Sequence, residues 1–297
     1  MREPSSPSSD SLIRGYELGA GVLMDFVAEI VLGYLDTVIT AKLVSANITD
    51  YHILRYRDDY RIFTRHDQEA ERILKCISES LAENGLKLNT AKTVVTRAII
   101  TDSIKRDKTA WASGPQRHTN LQKHLLLIHN HGSSYPNSGS LVRALNDFQS
   151  HIGKIKAAPV QLLPLVSIIV DIAFQSPKVY AISMAILSKL VEMVKGTEAK
   201  HEILERVLKK FTRIPNTGHL EVWLQRIALS IHDSQAFGEP LCRLASGKKI
   251  DLWNNQWIDS KKLKALLSAD RIVSQVELSN LKPVIPREEV QVFGGYY

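Results

Sequence analysis

Cysteine is nearly absent from this chain: Cys76 and Cys242 are the two in 297 residues. Far apart and without metal-ligand spacing, they exclude a disulfide-stapled scaffold and a cysteine-built zinc site, and they read as reduced packing residues. Long apolar runs are missing too. The window from Val22 to Val44 is broken by Asp25, Glu29, Asp36 and Lys42, which excludes a bilayer span and leaves an amphipathic helix. The start, MREPSSPSSDS, lacks the apolar core of a signal peptide and reads as a disordered lead-in, expected over residues 1–14. Together these absences predict a soluble, cytoplasmic protein with no membrane partner. Acidic charge is the minority sign. With 31 Asp and Glu against 38 Lys and Arg the net charge is +7, which suits a polyanionic partner without identifying one.

What is present changes texture along the chain. Gly15, Gly19 and Gly21 precede a helical period in which Leu23, Phe26, Val27, Ile30, Val31, Tyr34, Leu35 and Val38 predict one buried stripe. YHILRY and YRIFTR then read as two short strands with Arg57, Asp58 and Asp59 at the bend. Asp67 is the expected N-cap of a helix carrying Ala70, Ile73, Leu74, Ile77 and Leu81 on one face, with Gly85 as its left-handed terminator. LKLN and TVVTRAII predict further extended segments. The order helix, hairpin, helix, strand gives an α+β unit over residues 15–105. After a polar break, residues 120–297 predict an all-α domain, for which a helical-repeat stack and a plain bundle both remain open. In that half SPKVYAISMAILSKLVEMV and AKHEILERVLKKFTRI read as paired helices followed by GHLEVWLQRIALSIHD, HNH at 129–131 as a loop, Trp223 as a core anchor, and REEVQVF as strand-like.

The Asp58–Asp59 pair carries the chemical interest. Adjacent carboxylates repel, so they belong either to a solvated turn or beside something of high positive charge. Phosphoryl transfer on two divalent ions needs several carboxylates on a stiff platform, and a tight hairpin supplies one. Hard Mg²⁺ prefers such oxygen ligands.

At this point the chain resembles the bacterial reverse transcriptases. LRYRDDYRIF is similar to their Tyr-x-Asp-Asp hairpin, GLKLNTAKT (85–93) to the block that follows it, and GVLMDFVAEIVLGYLD to the Gly-rich block and helix that precede it. The resemblance spans roughly residues 15–95, with three blocks in order. It implies a polymerase palm and RNA-directed DNA synthesis by two-metal nucleotidyl transfer, using Mg²⁺ or Mn²⁺, an RNA template, a DNA primer and dNTPs. Asp58 and Asp59 would be the metal ligands, and Lys92 would assist the pyrophosphate leaving group. Tyr56 would pack beneath the hairpin near the primer end, or be an ordinary half-buried strand aromatic. Gly19 and Gly21 would support template and nucleotide. Arg55, Arg57 and Arg61 would neutralise a phosphate backbone or only offset the Asp pair, the second being the expectation for Arg57. Asn89 shapes the turn before Lys92. The helical half resembles the C-terminal regions of reverse transcriptases tied to phage defence and abortive infection.

Two departures shape the expectation. The family carries a further Asp on a strand upstream of the Gly-rich block, whereas here no apolar strand accompanies Asp10; and LGAG stands where the family has Pro-x-Gly-Ser. The chain is therefore expected to hold an N-terminally incomplete palm that does not polymerise alone. A separate upstream polypeptide is the candidate partner that would complete it. The alternative is a non-catalytic nucleic-acid- or partner-binding remnant with a helical interaction domain.

Overall fold

The computed structural model describes residues 9–268 and 272–292, and its contacts divide the chain into two units, at Arg97/Ala98. Residues 1–8 of the expected lead-in lie outside the described residues, and the chain is helical from Ser9.

The first unit opens with helix α1, Ser9–Ser45, which takes in Gly15, Gly19 and Gly21, the glycines expected to precede it. Asn47 ends it in the left-handed region at φ 53°, with Ile48 N donating to Leu43 O at 3.1 Å. Strands β1 (Tyr51–Tyr56) and β2 (Asp59–Thr64) pair antiparallel. Helix α2, Asp67–Glu83, follows, and Gly85 at φ 75° terminates it as expected, with Leu86 N donating to Leu81 O at 2.8 Å. The N-cap of α2 is His66, without a side-chain cap, and not Asp67. Asp67 instead bonds Arg97.

The core of this unit joins Leu35, Ile39 and Leu43 of α1 to Ile73, Ile77 and Leu81 of α2, roofed by Tyr51, Ile53, Tyr60 and Ile62 from the inner sheet face. The stripe expected to be buried along α1 is largely not. Leu35 is 1% exposed, but Leu23 is 60%, Phe26 62% and Tyr34 61% exposed. The buried row is 35, 39, 43, one face of the C-terminal turns. A 37-residue helix runs about 55 Å, whereas six-residue strands reach about 20 Å, so the hairpin and α2 cover only one end of it. The strand expected in TVVTRAII does not form. Thr90–Lys92 is a single 3-10 turn, Val94 and Val95 are exposed, and Ile99–Ser103 is helix α3. An extended run needs a neighbouring edge for its backbone groups, and β1 and β2 pair only with each other among the described residues.

The second unit is all helical among the described residues. After α4 (Arg106–Ser113) come α5 (Leu121–Ser134), α6 (Gly139–Gly153), α7 (Leu162–Gln175), α8 (Tyr180–Glu192), α9 (Thr197–Phe211) and α10 (Gly218–Ser230). Shorter helices follow: α11 (Pro240–Ala245), α12 (Lys261–Leu266), α13 (Gln275–Ser279) and α14 (Arg287–Gln291). Helix α8 is buried on every side, including Ile182, Met184, Ile186, Leu187 and Leu190, because α6, α7, α9, α10 and α14 surround it. Trp223 is a core residue, as expected.

Two expectations are corrected. HNH at 129–131 is the interior of α5: His129 Nε2 lies 2.9 Å from Asp171 Oδ2, and His131 Nε2 lies 2.7 Å from Ser140 Oγ. The polar sequence was spent on helix-to-helix bonds, which the local pattern does not reveal. REEVQVF starts helix α14 at Arg287, and Val290 packs into the core.

Candidate functional site

The hairpin register decides what each residue can do. Tyr51, Ile53 and Arg55 share the inner face with Thr64, Ile62 and Tyr60, and alternation places Leu54 and Tyr56 outward, opposite Arg61 and Asp59. Arg57 and Asp58 form the two-residue loop. Arg57 sits at φ 53°, a region a residue with a Cβ adopts reluctantly, so the tip is held by more than local preference.

The holding contacts come from α1. Arg55 donates from Nε to Asp36 Oδ2 at 2.8 Å, and through its two terminal nitrogens to Glu29 Oε1 and Oε2 at 3.2 and 3.0 Å. It also donates to the carbonyl of Arg57 at 3.0 Å, bracing the loop. Glu29, and then Asp36, raise the Arg55 pKa further above its ordinary value. Tyr60 Oη donates to Asp36 Oδ1 at 3.2 Å; burial first, and the Asp36 charge next, push its phenol up to about 12. Arg57 reaches Asp25 at 3.0 Å.

These acids were the functional residues sequence reasoning missed. Asp25, Glu29 and Asp36 registered only as interruptions of an apolar run. Their spacing of four and seven on one helix was the available signal.

The consequence falls on Asp58 and Asp59. The two arginines that precede them, Arg55 and Arg57, pair with acids of α1 and not with Asp58 or Asp59. Both aspartates are exposed, with no ion-pair or hydrogen-bond partner among the described residues. Tyr56 is 76% exposed on the outer face, neither beneath the hairpin nor half-buried. Arg61 is exposed on that same outer face, whereas the Arg55 fork is occupied. Lys92 is exposed at the end of its 3-10 turn, and Asn89 shapes that turn through its carbonyl, which accepts from Lys92 N at 3.0 Å. Gly19 and Gly21 lie within α1.

Two adjacent free carboxylates suit a hard divalent cation that keeps waters and shares its shell with substrate phosphates. Among the described residues no group of three His, Cys, Asp or Glu converges on one point. No helix described is long and apolar enough to cross a membrane.

Comparison with known families places residues 20–127 on the model for reverse transcriptase (RNA-dependent DNA polymerase). The matched stretch holds the hairpin, Lys92 and the start of α5, and it supports a reverse transcriptase family. A search of curated proteins finds no match.

Proposed function

We propose that the first unit carries the metal-binding hairpin of an RNA-directed DNA polymerase, and that Asp58 and Asp59 hold divalent cations, Mg²⁺ or Mn²⁺, together with the phosphates of an incoming dNTP. The observation that carries this reading is the pairing of Arg55 and Arg57 with Glu29, Asp36 and Asp25, which leaves the two tip carboxylates without an ion-pair partner among the described residues. A hairpin built only for stability gains nothing from two free adjacent negative charges, whereas a cation site requires them.

The ions, when bound, supply Lewis-acid stabilisation of charge on the transferring phosphate. The protein's own part is orientation and proton handling. Arg55 braces the loop carbonyl so that both carboxylates leave the same rigid tip. Exposed Lys92 donates a proton toward the pyrophosphate leaving group. Exposed Tyr56 and Arg61 face the primer strand from the outer sheet face. RNA template and DNA primer are the nucleic-acid partners. A further carboxylate comes from outside the described side chains or from a separate polypeptide, because two acids alone make a loose cage for two ions.

The test is Mn²⁺ titration of the full chain with a dNTP present, followed by electron paramagnetic resonance. Asp58→Asn and Asp59→Asn should each weaken binding about tenfold or more while leaving the melting temperature unchanged, since exposed charges contribute little to stability. Mn²⁺ binding indifferent to both substitutions would sink the assignment. The chain alone is expected to extend a primed RNA template poorly, and robust extension abolished by Asp58→Asn would show that no further polypeptide is needed.

A further inference from the structure

The segment between α11 and the end of α12 is rich in lysine and tryptophan. Residues 248–264, KKIDLWNNQWIDSKKLK, hold five lysines against two aspartates. Lys248, Lys249, Lys261, Lys262 and Lys264 are all exposed, and none has an ion-pair partner among the described residues. Two of the chain's four tryptophans lie between them. Trp257 is 78% exposed and Trp253 is 41% exposed, whereas Trp223 is 5% exposed. An indole standing that far into solvent is unusual, since its large apolar surface normally drives it inward.

The exposure is built and not a loose end. Ile258, next to Trp257, is 4% exposed and ties the loop down, with its backbone N donating to Asn255 O at 3.2 Å. Gln256 N donates to Asn254 Oδ1 at 2.9 Å, a local turn that fixes the intervening backbone. Ser260 Oγ accepts from Leu263 N at 3.3 Å and starts α12, so Lys261, Lys262 and Lys264 occupy a defined helical turn. Lys261 and Lys262 stand at the positive end of the helix, where lysines cost stability, so local helix energetics do not explain those two. An open hollow of about 530 Å³ is lined by Trp253, Asn254, Asn255, Gln256 and Lys264 together with Asp251 and Leu252.

We propose that residues 248–264 form a binding surface for single-stranded nucleic acid, with Trp253 and Trp257 as stacking platforms for bases and the five lysines along the phosphate backbone. Every base has a π-face, and stacking on aromatic side chains beside a basic track is how strands are held without sequence readout. The amides of Asn254, Asn255 and Gln256 can reach base edges in the hollow, which separates this surface from a lipid-binding one. Seating both tryptophans in a bilayer would bury those amides and bring Asp251 and Asp259 to an anionic surface. The inference does not depend on the metal reading of the hairpin.

The experiment is fluorescence anisotropy with labelled oligouridylate and oligothymidylate of about 16 nucleotides, a matching duplex, and vesicles of phosphatidylserine and phosphatidylcholine. The full-length chain is used in EDTA. Wild type should bind both single strands above the duplex, with affinity falling as salt rises. Trp257→Ala should weaken binding about tenfold, and Lys261→Glu/Lys262→Glu/Lys264→Glu should weaken it and flatten the salt dependence, with melting curves showing both variants folded. Equal affinity for the two strands assigns stacking and phosphate contacts alone, and a preference for the ribose strand adds 2′-hydroxyl recognition; both support the surface. Because EDTA removes divalent cations, the outcome is independent of cation binding at the hairpin. No strand binding, duplex-only binding, binding indifferent to Trp257 and the lysines, or capture by vesicles alone would overturn it.

Discussion

Arg55 Nε lies 2.8 Å from Asp36 Oδ2, joining the inner face of the hairpin to helix α1 across nineteen positions of sequence. The same guanidinium spans Glu29 and the carbonyl of Arg57, so one side chain sets both the attachment of the hairpin and the shape of its tip. A planar fork with five donors can do this, and an ammonium cannot.

Arg55→Lys should therefore keep the charge and lose the bracing. The expected cost is about 1–2 kcal/mol of stability, the net worth of one or two charge-assisted bonds in a partly exposed setting. Asp36→Ala should cost at least as much and also release Tyr60. Urea unfolding measures the loss, and amide exchange should speed up first over residues 51–64. A Lys variant indistinguishable from wild type in both would mean that the fork does not hold the tip.

Asp171 predicts an acid dependence. The Lys210 bond first, then those from His129 and Gln175, hold its carboxyl well below the ordinary range, at about 2, against burial acting the other way. The folded carboxyl thus takes up its proton less readily than the unfolded one, near 3.9. Its contribution is complete above about pH 4 and is lost as pH falls toward 2. The group is partly solvated, so solvent screening limits this to roughly 1 kcal/mol. Asp171→Asn should lower the melting temperature at neutral pH and show a shallower decline between pH 4 and 2. Parallel curves would rule out Asp171 as a source of the acid lability.

Ser140 ties three helices at one oxygen. Its Oγ donates to Asp107 Oδ2 at 2.6 Å and accepts from His131 Nε2 at 2.7 Å, while Trp111 of α4 lies 4.9 Å from the His131 ring. Ser140→Ala would strand a buried imidazole nitrogen and free Asp107, at a cost of about 1–3 kcal/mol. Exchange in residues 106–113 should accelerate while α8 stays protected. Uniform destabilisation of both would show that α4 is not held through this serine.

Much of this molecule could be read from local pattern. Period-two alternation around Arg57 and Asp58 gave the hairpin and put the aspartates at its tip, and Gly85 stopped α2 because only glycine adopts that φ without cost. The spacing of apolar positions gave α8, α9 and α10. In each case the determining forces act within a few residues.

What the tertiary structure decided was which groups meet. The sequence placed Arg55 and Arg57 beside Asp58 and Asp59, yet folding gave them to Asp36, Glu29 and Asp25, because inner-face register and helix pitch brought those acids within bonding distance. The apolar row on α1 announced burial, but a row is buried only as far as its apolar partners extend, and the apolar packing of the hairpin and α2 ends near Leu32. The polar run at His129–His131 looked like a loop until Asp171 and Ser140 were brought to it from other helices. Local energetics select elements and their faces. Pairing across tens of residues depends on distances that exist only once the chain has folded.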